Sequence, residues 1–200
     1  FNSPVILVVN SAHLATQAAE DRDRWLRVFW SLDYFKGAQA RNKAEGDWRM
    51  APVNEAKVPP AHRAKHAFVE AMDAWDEDAA DVAVTSLVRN LGAIDVMEQF
   101  WPYGARDFRD IGHKAIYVAN AWRSIHTIGW RHAEPIMRSL AYALLDHSRE
   151  PNPAKNSLEA DIPGRENLSR LKKIRKDCQQ GTRSDDAAKD LLVTMRTATA

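Results

Sequence analysis

Apolar residues recur three and four positions apart along almost the whole chain, and nowhere do they alternate cleanly with polar ones. That spacing lines one face of an α-helix and cannot line one face of a strand, so an all-α fold is expected. Helices are predicted over 4–17, 20–41, 61–75, 76–92, 93–104, 106–128, 133–147, 165–179 and 184–197. The breaks between them are chemical. Three prolines and a glycine make 45–60 an irregular connection, Pro102 and Gly104 stop the helix before them, and Gly92 is placed as a left-handed cap. Ser184 followed by two aspartates opens the last helix. In the helix near 20–41, Trp25, Val28, Phe29, Leu32 and Phe35 share one apolar face.

Two hundred residues, 45% of them hydrophobic, are enough for one sizeable core. A single-domain helical bundle is expected over 1–147, with 148–164 as a linker and 165–200 as a C-terminal helical hairpin packing on the core. With 28 Lys plus Arg against 27 Asp plus Glu, the charge gives no case for nucleic acid or an anionic membrane. The basic run 169–176 lies on a helix whose Leu168, Leu171 and Ile174 give an ordinary packing stripe, and it is read as a solvated face. Cys178 stands alone, which excludes an intrachain disulfide framework and zinc ribbons. No apolar run has the roughly 18 residues of a membrane span, and the start shows no signal peptide, so a soluble protein with a trimmed start is expected.

The stretch 113–127 is apolar around its whole circumference, as a buried central helix would be. Its polar residues therefore need partners, since an unsatisfied buried polar group costs about 1–3 kcal/mol. At about 100° per residue, His113, Tyr117, Asn120 and Ser124 form one polar track. The first helix repeats the pattern with Asn10 and His13 three apart. "ILVVNSA" (6–12) and "IYVANAW" (116–122) agree at Ile, Val and Asn, which suggests two similar helix hairpins about a pseudo-twofold axis, or a chance likeness of two apolar helices. If the repeat is real, Asn10 and Asn120 face one another across the core.

Two readings of the histidines follow. His13, His113, His126 and His132 can share a metal or catalytic site, imidazole being a common ligand for Fe, Zn and Cu in helical bundles. Alternatively each binds a carbonyl or carboxylate and fixes the packing. His62 and His66 fall on a polar face, His147 suits a helix C-terminus, and "RDFRD" (106–110) reads as a salt-bridge ladder at a helix start. The ExxH pair of carboxylate di-iron bundles is missing, as are the nucleotide-binding and zincin motifs.

"GHKAIYVANAWRSIHTIG" (112–129), "HAEPIMRSLAYALL" (132–145) and "VNSAHLA" (9–15) resemble the questin oxidase-like proteins, helical proteins with histidines at the ends of apolar helices. The resemblance implies metal ligation by His113 and His132, joined by His13 and His126. It further implies an iron-dependent oxidoreductase or oxygenase acting on an aromatic or apolar small-molecule substrate, with Zn, Cu or Mn as other candidate metals. Asn120, Tyr117 and Asn10 are then the candidate catalytic residues, orienting ligands or shaping the pocket. The contrasting expectation is a non-enzymatic interaction or structural subunit whose buried His and Asn fix helix packing. Its N-terminal helix would meet an upstream segment or a partner chain, and a homo-oligomer is compatible with it.

Overall fold

The computed structural model describes residues 4–147, 149–178 and 180–198. Among them all regular structure is helical, with no strand. The helices are α1 (Pro4–Gln17), α2 (Arg24–Ala44), α3 (Ala64–Ala74), α4 (Glu77–Asn90), α5 (Ala93–Gly104), α6 (His113–Ile128), α7 (Ala133–Leu145), α8 (Ile162–Leu171) and α9 (Asp185–Thr197). None of the described helices is long and apolar enough to cross a membrane. The chain divides into two compact units, Phe1–Gly164 and Arg165–Ala200.

In the first unit α4 lies between α3 and α7, while α6 is packed by α5, α7 and α1. Each layer is held by side chains removed wholly from water: Phe68 and Met72 from α3, Val84 and Leu87 from α4, Val96, Met97 and Phe100 from α5, Met137 and Leu144 from α7. Local signals start and stop these helices. Asp76 caps α4, its carboxylate accepting the Ala79 N–H at 2.9 Å, and Glu77 and Asp78 in the first turn complement the helix dipole. Gly129 at φ 93° reverses the chain between α6 and α7, a conformation that costs an L-residue energy and glycine none.

The connection 45–63 contains single helical turns at Glu55–Lys57 and Ala61–Arg63. It is strapped across α4 and α7. Ser86 donates to the Pro59 carbonyl at 2.7 Å, and Arg138 donates to the Ala51 carbonyl at 2.8 Å while its guanidinium binds Asp81 through two bonds of 2.7 and 2.8 Å. Arg89 reaches both Glu55 and Glu134, at 2.7 and 2.8 Å. Residues beyond α7 are likewise tied to the first unit, since Asp161 binds Arg109 and the Asn152 side chain donates to the Ala74 carbonyl.

Two local expectations need correcting. Gly92 has φ −71° and opens α5 instead of capping α4, whose last position is taken by the extended Leu91. α5 ends at Gly104 as expected, with Pro102 in its last turn. The apolar face predicted for the second helix does not enter the core. Of that face Trp25, Phe29, Leu32 and Phe35 are 42–64% exposed, as are Leu26 and Trp30 beside them, while Val28 is half-buried; the side of α2 packed on α1 carries buried Ala38 and half-buried Arg27, Ser31 and Tyr34. Ala12 of α1 and Ala38 of α2 are the buried small residues of this hairpin, and Tyr34 is half-buried on the same stripe as Ser31 and Ala38.

In the second unit α9 is capped by Ser184, whose hydroxyl accepts the Ala187 N–H at 3.1 Å. Leu168, Leu171 and Ile174, expected as a packing stripe, are exposed, as are Leu191, Leu192, Val193 and Met195.

Candidate functional site

The polar track of α6 meets α1. Asn10 Nδ2 donates to Asn120 Oδ1 at 2.7 Å with both residues 6% exposed, and Asn120 Nδ2 donates onward to the Ile116 carbonyl at 2.9 Å. Both amide groups are thus used within the core. An amide pair of this kind tolerates one helix register, because sliding α1 by a residue would bury two unpaired groups at about 1–3 kcal/mol each. Asn10 and His13 also border a cavity of about 210 Å³ with Val9, Ser124, Thr127, Ile128 and Ile136, so α1, α6 and α7 each contribute to its wall.

The candidate ligands are dispersed. His13 is exposed and its Nε2 lies 3.2 Å from the Gln17 amide. His113 stacks on Tyr117, the other polar-track residue of that turn, at 6.0 Å between centroids. His126 is exposed and meets Trp122 edge-on at 4.2 Å. His132 is exposed, and its Nε2 lone pair accepts the Arg131 Nε–H at 2.9 Å, which spends one ligating nitrogen and sets a cation beside it. Among the described residues no three His, Cys, Asp or Glu side chains are grouped so as to hold a metal ion. His62 and His66 are exposed, as their polar face implies.

The densest polar chemistry lies elsewhere, around Trp75. This residue ends α3 in the left-handed region, φ 56° and ψ 43°, which is strained for a bulky side chain. Three cations surround its ring: the Arg106 guanidinium at 3.7 Å, the Lys114 ammonium at 4.7 Å and the Arg109 guanidinium at 5.2 Å from the centroid. Arg106 donates to the carbonyls of Met72 and Leu144 at 2.6 and 3.2 Å. Lys114 donates to Asp107 at 3.1 Å and to the Leu144 carbonyl at 2.9 Å. Arg109 holds Asp161 through bonds of 2.6 and 2.9 Å and Glu150 at 2.8 Å, while its backbone N–H donates to Asp107. Three cations thus meet three carboxylates, and the group is charge-balanced.

Burial lowers the Lys114 and Arg106 pKa values, because the charged forms lose water there. Hydrogen bonding to Asp161 instead raises that of Arg109. Among the described residues Arg106 Nε and His147 Nδ1 are buried without a hydrogen-bond partner, although Arg106 Nε lies 3.8 Å from the Asp107 carboxylate. His147 sits 5.8 Å from Trp75 instead of serving only as a helix cap. Most donors of this balanced cluster are met by carboxylates and carbonyls, so it ties distant chain segments together.

"RDFRD" does pair locally, Asp107 lying 3.8 Å from Arg106 and 3.6 Å from Arg109, and its Arg106, Asp107 and Arg109 are at the same time three members of a long-range knot. One signal for it was present: Lys114 shares a helical stripe with Val118, Ala121 and Ile125, all of them buried. A lysine on a core stripe requires a buried anion.

No family model, curated protein or solved structure matches this chain. The likeness to questin oxidases accordingly rests on its three short motifs.

Proposed function

We propose that this chain is a helical interaction subunit that docks another polypeptide on the outward face of α2. The observation that carries the reading is the exposure of six large apolar side chains on one helix, Trp25, Leu26, Phe29, Trp30, Leu32 and Phe35. At about 150–250 Å² for a whole aromatic side chain, the six together present on the order of 600–700 Å² of apolar surface, centred on Trp25, Phe29 and Leu32 and spread over more than half of the helix circumference with Asp33 and Lys36 among them. The largest apolar patch on a typical monomer is about 300–600 Å², and larger ones mark interaction sites. Asn10 and Asn120 then serve as register pins that hold the hairpin in place against α6.

A photoreactive phenylalanine analogue placed at Phe29, with the same analogue at exposed Glu98 as control, tests the reading in cells. A discrete covalent adduct to a second polypeptide from position 29 alone is expected. Equal labelling from both positions, or none from 29, would overturn it.

A second reading keeps the small-molecule chemistry expected from the resemblance. It is supported by the cavity beside Asn10 and His13, since about 150 Å³ suffices for one benzene-sized ring. Metal analysis of the purified protein, wild type beside His113→Ala, decides it. Near-stoichiometric iron, zinc, copper or manganese lost in the variant supports a metal-dependent oxidoreductase, and none in either protein after reconstitution ends that reading.

A further inference from the structure

We infer that the cavity between α1, α6 and α7 is a binding site for one small uncharged molecule with a compact hydrocarbon body. An apolar cavity of about 150 Å³ holds the six carbons of benzene, so the 210 Å³ found here takes about eight or nine heavy atoms. The inference deepens the small-molecule reading above and rests on it only for there being a ligand; it needs no metal.

The wall decides the chemistry. Val9, Ile128 and Ile136 bring branched aliphatic side chains from three helices, and among the described residues no Asp, Glu, Lys or Arg lines the space. The polar residues of the wall direct their polar atoms elsewhere. Asn10 Nδ2 is given to Asn120, the Thr127 hydroxyl donates to the Arg123 carbonyl at 3.0 Å, and His13 Nε2 meets the Gln17 amide. The surface turned to the cavity is accordingly almost all carbon. A charged ligand would lose its water there and gain no counter-ion, whereas a hydrocarbon ring loses nothing and supplies the contacts that the aliphatic wall lacks.

The site is reachable and already formed. Val9, His13, Thr127 and Ile128 are exposed, so they frame a mouth, and a polar substituent on the ligand stays there in water. The buried Asn10 and Asn120 pair fixes α1 on α6, so little ordering is left for the ligand to impose. A molecule that touches Val9 on one side and Ile128 and Ile136 on the other bridges α1 to α6 and α7, and its binding therefore stabilises that packing by mass action.

The test uses the full chain with isotope-labelled valine and isoleucine methyl groups, titrated with ethylbenzene, which has the required size, and with benzoate, which is similar in size but charged. With ethylbenzene the Val9, Ile128 and Ile136 methyl resonances are expected to shift together and saturate with a dissociation constant of about 1 mM or tighter. Exposed Ile94 of α5 should not move with them. Benzoate should bind at least about tenfold more weakly. Val9→Trp and, from the facing wall, Ser124→Leu fill the space; each should raise the ethylbenzene constant at least about tenfold, the factor lost when two carbons are kept from burial. Helical circular dichroism should be unchanged in both variants. No saturable shift at the three residues, equal affinity for benzoate, or binding undiminished in both folded variants would overturn the site, the last by showing that another apolar surface holds the probe. Failure of the metal-dependent chemistry is separable: a metal-free protein with saturable shifts keeps this ligand and loses that chemistry, and a metal-bearing protein without shifts does the reverse.

Discussion

Asp107→Ala is expected to destabilise the protein by about 3–5 kcal/mol, the cost of removing one partner from a buried ion pair. The carboxylate has no exposed surface. It accepts from Lys114 at 3.1 Å and from the Arg109 backbone at 3.0 Å, and it is the nearest anion to Arg106 Nε at 3.8 Å. Without it, Lys114 keeps only the Leu144 carbonyl, and its charge is stranded beside Trp75. Urea denaturation at neutral pH is the measurement. Against a typical total stability of about 5–15 kcal/mol, such a loss moves the midpoint far or unfolds the chain outright.

The penalty should shrink as pH rises. Burial already lowers the pKa of Lys114, so in the variant the folded state sheds this proton before the unfolded state does, and stability increases with pH across that interval. Adding Lys114→Met to Asp107→Ala removes both charges and should restore most of the loss. A decrease below about 1 kcal/mol in the single variant would mean that the cluster is hydrated and contributes little.

Phe68→Ala is expected to cost about 3–5 kcal/mol by leaving a cavity between α3 and α5. The ring is wholly buried, with Phe100 at 4.7 Å and Tyr103 edge-on at 5.7 Å. Neither neighbour can fill the space cheaply. The Tyr103 hydroxyl is held by Asp73 at 3.0 Å, and Phe100 has no exposed surface from which to move. Phe68→Leu, which keeps most of the volume, should cost about 1–2 kcal/mol, so the difference between the variants isolates the cavity. Equal losses from the two would show that the site relaxes around the smaller side chain.

Helix periodicity carried most of the architecture. The boundaries of α1, α5 and α9 lie within one residue of those expected, because proline, glycine and the serine cap act locally. What periodicity could not reveal was direction. The stripe of Trp25, Phe29 and Leu32 reads like any core-facing stripe, and only the packing of α1 on the opposite side shows that it points outward. The Asn10 and Asn120 pairing could be reached from the sequence, since two polar exceptions at matching places in two apolar helices have few other partners. The histidines could not be placed by the same logic. They lie at helix ends and on outer faces, where the chain's course after a glycine or a turn decides what they meet. The Trp75 cluster was missed because its members come from residues 75, 106–114, 150 and 161, and no local pattern joins them.

That scattered origin has a kinetic consequence. Adjacent helices such as α3 and α4 can pair early, since the loops they close are short, whereas the Arg109 contacts with Glu150 and Asp161 close loops of 41 and 52 residues. If bonds of such separation form after the transition state, a variant that opens the cluster accelerates unfolding and leaves the folding rate nearly unchanged, which stopped-flow folding and unfolding rates of Asp161→Ala would check. The knot around Trp75 is in this sense a latch: it has little influence on how the chain reaches its structure and a large one on how long the chain remains there.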